Sequence, residues 1–346
     1  MNLVNDPNQI DFDRPGKHHY QVAFHLDSNW GYSLLPMTVI NGLESSGREP
    51  GIVAFGGTHG NEYEGQVAVK RLCCDLDPAI MAGRVILIPQ LSESACTAGL
   101  RSSPQDGVNM NRAFPGQRRG TLSYRIADFV KSLIFPQVRV VLDLHAGGHE
   151  AVFPLCTSFH PLANDVQRAE TAAVARLFDT PYIFIYSRGM ASGLLTDEAE
   201  DEGKIAIGGE FGCAQAVSRI GILHAYEGVR NVLRYYGMLR EEVVRIDPNR
   251  GKPPRIIEAP DMKDYIPCPR DSIWEPLVSP GQEVRQGELI GRLHDFADHS
   301  SDALPVDAHR AGTVIALYFA AVVKKGFTLY VIGDEILEEK HETNEK

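Results

Sequence analysis

The segment GGTHGNEYEG at residues 56–65 carries a histidine and a carboxylate three positions apart. His59 and Glu62 follow a short apolar run and precede a stretch with helical spacing. Across a tight strand-to-helix turn, this spacing can direct an imidazole nitrogen and a carboxylate oxygen at one point, which suits tetrahedral zinc. The H-x-x-E pattern alone is common, and a lone histidine in a turn is more often a capping or surface residue. A third ligand is therefore required.

His145 is the predicted third ligand. It follows the apolar run VVLDL and is itself followed by small residues that leave room beside it. Ligands of open α/β sheets bind at the carboxyl ends of the strands, so we expect His59, Glu62 and His145 to converge in one crevice. The alternative is a histidine that only ends a strand by hydrogen bonding to a loop. Three protein ligands and one open position are typical of catalytic zinc, and we predict one zinc ion per subunit.

Glu210 is the candidate general acid/base. It ends the segment AIGGE among glycines, where a carboxylate is costly unless it is used or paired. Water activated by zinc still needs a nearby carboxylate that accepts its proton and delivers it to a leaving amine. The alternative is a carboxylate that backbone N–H groups satisfy at a helix start, and we favour the catalytic interpretation.

A polar loop, LRSSPQDGVNMNRAFPG at residues 100–116, lies between the two ligand segments. Its adjacent Asn111 and Arg112 can bind a substrate carboxylate, the first through its amide and the second through its planar guanidinium. Arg101 could stabilise the oxyanion that forms when a carbonyl is attacked. Taken alone, the two arginines are more simply interpreted as surface residues of a loop.

Alternating apolar and amphipathic stretches predict the elements that position these residues. The predicted strands are 51–55, 83–89, 138–144, 182–186 and 206–210, and the predicted helices are 64–75, 121–134, 161–177, 194–202 and 221–240. Short buried strands separated by helices imply an α/β fold with a mixed, mostly parallel sheet and helices on both faces. Residues 19–25 and 33–40 add antiparallel strands at the amino-terminal end.

The composition changes at residues 247–260, DPNRGKPPRIIEAP, whose four prolines predict a linker. We therefore divide the chain into a catalytic domain at 1–250, a small all-β barrel-sandwich domain at 261–335 and a charged tail at 336–346. The segment 278–291 resembles half of a biotinyl or lipoyl carrier barrel, but residues 293–305 contain no lysine to receive a cofactor. We expect an unmodified module that shapes or covers the mouth of the active site.

Charge and hydropathy exclude several classes of partner. The 346 residues carry a formal charge of −11 without a stripe of Lys and Arg, which argues against nucleic acid and anionic membrane surfaces. The longest apolar run, 314–323, is well short of the about 18 residues that span a bilayer. With no secretory signal and six scattered cysteines interpreted as reduced thiols, we expect a cytoplasmic protein with a small-molecule substrate. Homo-oligomerisation stays open. Asp197, Glu198 and Glu200 are interpreted as an exposed acidic helix face.

The order of these motifs resembles the succinylglutamate desuccinylase and aspartoacylase family, relatives of the zinc carboxypeptidases. The resemblance spans about residues 45–240, and the β-rich tail matches that family's extra domain. It implies zinc held by His59, Glu62 and His145, Glu210 as general acid/base, Arg101 polarising the scissile carbonyl, and Asn111 with Arg112 holding the α-carboxylate. Many members carry an aspartate that orients a ligating histidine where this chain has Asn109. An asparagine can accept the same imidazole N–H without a charge, so we expect lower ligand basicity.

Within the family, the segments NWGYSLLP at 29–36, GGTHGNEYEG and NMNRAFPG are most similar to bacterial members that deacetylate N-α-acetyl-L-2,4-diaminobutanoate in ectoine breakdown. The resemblance implies zinc-dependent hydrolysis of a small N-acyl amino acid to a carboxylate and a free amino acid. A metallocarboxypeptidase is the enzyme alternative, although a covered mouth would exclude long chains. A non-catalytic binding module is the other alternative, but such a relic would be expected to have lost a ligand or the base, and none is missing.

Overall fold

The computed structural model describes residues 2–27, 30–44, 47–247 and 250–336. Six helices lie in these ranges: α1 (Glu64–Asp75), α2 (Glu93–Ala98), α3 (Leu122–Phe129), α4 (Asp165–Arg176), α5 (Leu195–Asp201) and α6 (Arg219–Tyr235). A π-helical turn at Val130–Ile134 continues α3.

The same ranges contain nineteen strands. They are β1 (Asn2–Val4), β2 (Gly16–His25), β3 (Tyr32–Asn41), β4 (Ile52–Gly56), β5 (Arg84–Ile88), β6 (Val140–His145), β7 (Ala151–Val152), β8 (Cys156–Phe159), β9 (Tyr182–Tyr186), β10 (Ile205–Glu210), β11 (Arg255–Ala259), β12 (Tyr265–Pro267), β13 (Ser272–Pro276), β14 (Glu283–Val284), β15 (Leu289–His294), β16 (Leu304–Asp307), β17 (Gly312–Tyr318), β18 (Val322–Val323) and β19 (Thr328–Ile336).

A mixed sheet forms the centre of the fold, in the order β1-β2-β3-β5-β4-β6-β10-β8-β9-β11-β19-β17-β14. Its middle strands β5, β4, β6 and β10 are parallel neighbours. Because helices cover both faces, these strands are apolar along nearly their whole length. In β4, Ile52 and Ala54 pack against α1 and α6, whereas Val53 and Phe55 pack on the opposite face against α3 and its π-helical turn. The predicted α/β class is thus confirmed, including the antiparallel pair β2–β3 at the amino-terminal end.

The carboxyl-terminal region adds a second sheet, β16-β15-β13-β18, which packs on β17 and β19 of the first. Trp274, Leu293, Val314 and Ile332 contribute to the apolar layer between them. The predicted small β-sandwich is therefore present, although part of it is continuous with the main sheet. Its assignment as a separate domain, with a catalytic domain at 1–250, stays a prediction.

The linker predicted at 247–260 is wrong for Arg255–Ala259. These residues form β11, which pairs in parallel with β9 and antiparallel with β19, and both Ile257 and Ala259 are fully buried. The nearby prolines flank the strand instead of interrupting it. The predicted tail also begins too early, because Ile336 is still in β19 and pairs with Ile256. Residues 337–346 lie outside the described residues.

Two other expectations about the chain can be compared with the structure. All six cysteines are unpaired, as predicted. Within the described ranges, no helix has both the length and the apolar character that crossing a bilayer would require.

Candidate active site

The carboxyl ends of β4, β6 and β10 meet at one edge of the sheet. Glu210 at the end of β10 is the register partner of His145 at the end of β6. The loop after β4 carries His59 and Glu62 and leads into α1. Gly65 lets that helix approach β6, since a Cβ atom there would lie 2.1 Å from the carbonyl oxygen of Leu144. Strand order and one close backbone contact therefore bring the two ligand segments together.

Glu62 lies between the two candidate ligand histidines. Its Oε1 is 2.8 Å from Nδ1 of His59, and its Oε2 is 2.9 Å from Nδ1 of His145. The ligand atoms of the three residues all lie within 4.8 Å of one another. The backbone N–H of Ala146 also donates to Glu62 Oε2 at 3.1 Å and so helps to fix the carboxylate. The structure thus brings the three predicted metal ligands together.

The far nitrogen of each histidine faces an acceptor. His59 Nε2 is 3.0 Å from Asn109 Oδ1, the acceptor that the family resemblance implies for a ligand histidine, and His145 Nε2 is 2.7 Å from Asp143 Oδ2. With a proton on each Nε2, each Nδ1 has a free lone pair that faces the carboxylate of Glu62. This is the tautomer in which Nδ1 can bind a metal. Two imidazole nitrogens and one carboxylate, beside an open cavity, are the donor set of a catalytic zinc site. The residues present therefore fit zinc.

The pKa values of His59 and His145 are shifted in opposite directions. Burial lowers the pKa of the His59 imidazole. Burial also acts to lower the pKa of His145, but the carboxylates of Asp143 and Glu62 outweigh it and hold that pKa well above its ordinary value. Sequence reasoning missed Asp143, although D-x-H within a strand was a usable signal because residues i and i+2 share one face.

Glu210 is partly buried and lines the same cavity. Among the groups that the structure describes, its Oε2 has no hydrogen-bond partner, which argues against the alternative of a carboxylate satisfied by backbone N–H groups. Burial and, next, the charge of Glu62 raise the pKa of Glu210 to about 8. A carboxyl group with such a pKa can hold or release a proton near neutral pH.

The loop residues also reach the cavity. Arg101 Nη1 donates to Glu62 Oε1 at 3.1 Å. Asn111 Oδ1 accepts the backbone N–H of Leu195 at 2.9 Å, which leaves its amide nitrogen on the cavity side, 3.5 Å from His145 Nε2. Arg112 Nη1 donates to the Asn111 carbonyl at 2.6 Å, and burial lowers the pKa of this guanidinium. Both arginines thus line the cavity, Arg101 as a partly buried residue and Arg112 as an exposed one.

All seven predicted site residues line one cavity of about 390 Å³. This volume is typical of a site for a small molecule. The opposite wall comes from the carboxyl-terminal β-sandwich, including Leu317, Tyr318, Phe327 and Tyr330. Pairing of β7 with β17 joins this wall to the loop that follows β6. The sequence predicted that the module would shape the mouth, but not which of its residues would do so.

The expected acidic helix face on α5 is wrong for Glu200, which is buried. Its Oε2 lies 2.8 Å from His160 Nδ1 and 2.9 Å from Arg188 Nη2, and Asp197 Oδ1 is 3.3 Å from His160 Nε2. These partners come from distant parts of the chain, so helical periodicity could not identify them. His160, Asp197 and Glu200 have the spacing of a second metal group, but Arg188 already supplies the cation that Glu200 needs. The imidazole of His160 packs on Tyr186, which lines the cavity, so the cluster supports the cavity wall.

Comparison with known proteins gives concordant matches. Residues 49–236 match the succinylglutamate desuccinylase/aspartoacylase catalytic domain. Over 331 residues, 94% of each chain, the sequence is 32% identical to N-alpha-acetyl-L-2,4-diaminobutyric acid deacetylase of Halomonas elongata. The fold is similar to the crystal structure of a succinylglutamate desuccinylase/aspartoacylase from Rhodobacter sphaeroides, with a TM-score of 0.88, 32% identity, and coverage of 95% of this chain and 98% of that one. It is also similar to the product-bound ectoine utilization protein EutE (DoeB) from Ruegeria pomeroyi, with a TM-score of 0.86, 29% identity, and coverage of 94% and 97%.

Proposed function

Because this chain belongs to the succinylglutamate desuccinylase/aspartoacylase family, we propose that it hydrolyses the amide bond of a small N-acyl amino acid with the help of zinc. The observation that carries the proposal is the position of Glu62 between the Nδ1 atoms of His59 and His145, beside the unpartnered carboxylate of Glu210. Near-full-length similarity to the Halomonas deacetylase favours N-α-acetyl-L-2,4-diaminobutanoate as the substrate.

In this proposal Nδ1 of His59, Nδ1 of His145 and the carboxylate of Glu62 would hold zinc. When bound, it supplies the Lewis acidity that activates water and polarises the acyl carbonyl. Glu210 takes up the proton of the attacking water and passes it to the amine that leaves; its carboxylate lines the same cavity, and its Oε2 has no hydrogen-bond partner among the described groups. Arg101 donates to the carbonyl oxygen as negative charge develops on it.

Arg112 and Asn111 bind the α-carboxylate of the substrate. The guanidinium fork can form two parallel hydrogen bonds to a carboxylate, and the amide N–H groups of Asn111 add a third donor. Tyr318 and Phe327 of the carboxyl-terminal sandwich line the same cavity, whose volume of about 390 Å³ is typical of a site for a small molecule. This size favours a small N-acyl amino acid over the carboxyl terminus of a long peptide.

The proposal is tested by amine release from N-α-acetyl-L-2,4-diaminobutanoate, N-succinylglutamate and an N-blocked dipeptide. Each reaction is run with the purified protein, after treatment with a zinc chelator, and after zinc is added back. We expect the acetyl substrate to be turned over, turnover to stop with chelator, and zinc to restore it. Turnover of the blocked dipeptide alone would assign a carboxypeptidase activity. No turnover of any substrate by the zinc-loaded protein would favour a binding module, and either result overturns the proposal.

A further inference from the structure

Three carboxylates line the cavity within the described chain, and the proposed reaction uses two of them. Glu62 contacts the ligand histidines and Glu210 is the proton carrier, whereas Glu150 has no part in the proposed reaction. The cavity also contains two guanidinium groups, of which Arg112 is assigned to the substrate carboxylate and Arg101 to the carbonyl oxygen. Glu150 is therefore the remaining charged group that faces substrate.

Two backbone contacts connect the segment of Glu150 to the carboxyl-terminal sandwich. Glu150 lies in the turn between β6 and β7, and its carbonyl accepts the N–H of Phe319 from the carboxyl-terminal sandwich at 2.9 Å. The next residue, Ala151, begins β7 and pairs with Tyr318. The side chain is consequently held at the junction of the catalytic sheet and the sandwich, where the two form the cavity wall.

The carboxylate of Glu150 forms only a long contact with its nearest cation. Its Oε2 lies 3.5 Å from Nε of Arg101, which is longer than an ordinary charged hydrogen bond, and the side chain is 49% exposed. Tyr318 is close enough for this carboxylate to contribute to the raised pKa of the phenol, after the larger effect of burial. An anion in this position can accept hydrogen bonds from a cation that enters the cavity.

We propose that Glu150 binds a positively charged side chain of the substrate and so selects cationic N-acyl amino acids. The inference rests on the proposed deacylase function and adds a determinant of its specificity. A substrate cation entering this cavity meets repulsion from Arg101 and Arg112, and a carboxylate on the same wall offsets that repulsion. Glu150 and Arg112 line the same cavity and are close enough for the charge of Glu150 to act on the guanidinium. In 2,4-diaminobutanoate, two methylene groups separate the α-carbon from the terminal amine that would approach Glu150.

A different role for Glu150 would be to restrain Arg101. If that were its role, replacing Glu150 would lower kcat/KM equally for every substrate, because Arg101 acts on the acyl carbonyl that all of them share. Selection of a cation instead predicts a loss confined to substrates that carry the amine. The two roles are separated by substrates that differ only in the side-chain charge.

The experiment compares kcat/KM of the wild type and Glu150→Gln on three substrates. They are the N-α-acetyl derivatives of 2,4-diaminobutanoate, which has a cationic side chain, of 2-aminobutanoate, which has a neutral one, and of glutamate, which has an anionic one. Since the carboxylate is half exposed, we expect Glu150→Gln to lower kcat/KM about five- to tenfold for the cationic substrate and to leave kcat/KM of the neutral one unchanged. Glu150→Lys should reverse the preference toward the anionic substrate. Glu242→Gln makes the same chemical change at an exposed position that does not line the cavity, and should leave all three rates unchanged.

Binding of the products provides a second measurement that does not depend on turnover. By calorimetry, Glu150→Gln should weaken binding of L-2,4-diaminobutanoate but not of L-2-aminobutanoate. An equal loss on all substrates, or no loss on the cationic one, overturns the inference while the deacylase function stands. If the zinc-loaded wild type deacylates none of the three substrates, the proposed function is overturned and the inference falls with it.

Discussion

The carboxylate of Asp143 lies 2.7 Å from Nε2 of His145, two residues further along the same strand. Its other oxygen accepts the hydroxyl of Thr58 at 2.6 Å, and Thr58 directly precedes His59. One fully buried carboxylate thus connects the two segments that carry the candidate ligand histidines. Its charge also keeps the ring of His145 basic, which strengthens a nitrogen ligand.

Asp143→Asn is expected to weaken zinc binding by about 10- to 100-fold while all three ligands remain. The amide can still accept the imidazole N–H, but it carries no charge to raise the basicity of the ring. Competition with a chromogenic chelator measures the affinity. Asp302→Asn, at an exposed position outside the cavity, is the matched control. Unchanged affinity in Asp143→Asn would assign the carboxylate a purely structural role.

Asn109 is the uncharged counterpart of Asp143 on the other histidine. Its Oδ1 is 3.0 Å from His59 Nε2 and also accepts the backbone N–H of Asn111 at 2.9 Å. Asn109→Asp preserves both acceptor contacts and adds a charge, so we expect zinc to bind about tenfold more tightly. Asn109→Leu removes the acceptor and should weaken binding. If the aspartate variant binds zinc no more tightly than the wild type, charge on this acceptor does not limit the affinity.

Glu210→Gln is expected to reduce kcat by about 10²- to 10⁴-fold, because the amide cannot take up a proton. Zinc content and substrate affinity should stay near the wild-type values, since the proposed function places Glu210 neither among the zinc ligands nor in the pair that binds the substrate carboxylate. Metal analysis and KM or inhibitor binding are measured in parallel with the rate. A variant that loses zinc together with activity would show that Glu210 supports the metal site.

Arg112 and Arg101 should affect different kinetic parameters. Arg112→Lys keeps the charge but loses the planar fork, so we expect KM to rise about 10-fold or more with a smaller change in kcat. Arg101→Lys should mainly lower kcat, because its contact with the carbonyl oxygen strengthens as charge develops. Steady-state kinetics on one N-acetyl substrate give kcat and KM for both variants and so test whether the two arginines have separate roles. Identical effects of the two changes would contradict the separate roles.

The parallel centre of the fold could be predicted because its strands are buried on both faces and their helices are amphipathic. The predicted helix 64–75 matches α1 and the predicted strand 182–186 matches β9. By contrast, β8 is only four residues long and α2 only six, too short for a periodic pattern to identify. The prolines that flank β11 make its segment resemble a linker, and the strand forms only because β9 and β19, which are distant in sequence, pair with it.

The predicted site residues converge because each lies at a strand end or in a loop adjoining one. What the sequence could not supply is the set of long-range partners. The sequence carries no signal for Glu150, because its proximity to Arg101 and to the carboxyl-terminal wall exists only after folding. Helical spacing predicts an exposed face for Glu200, since it cannot show the partner His160, which lies forty residues earlier in the chain.

Asp106 organises the loop that carries Asn109, Asn111 and Arg112. Its Oδ1 accepts the N–H of Val108 at 3.2 Å and the hydroxyl of Ser123 at 3.0 Å, and its Oδ2 accepts the backbone N–H of Ser123 at 2.8 Å. Burial alone would raise the pKa of Asp106, but the hydrogen bonds to Ser123 and neighbouring groups outweigh it and lower the pKa. The charged form is therefore the one that the folded protein favours.

A lowered pKa in the folded state means that the unfolded chain binds more protons near its ordinary pKa, so Asp106 stabilises the fold above that pH. Its contribution is lost as the pH falls through the lowered pKa. We expect Asp106→Asn to cost about 1–3 kcal/mol of unfolding free energy at pH 7, with the difference from the wild type shrinking below about pH 4. Urea unfolding from pH 7 to pH 3 measures both, and Asp302→Asn controls for the loss of one charge. A difference that stays constant across this range would mean that the hydrogen-bond geometry of Asp106, and not its ionisation, holds the loop.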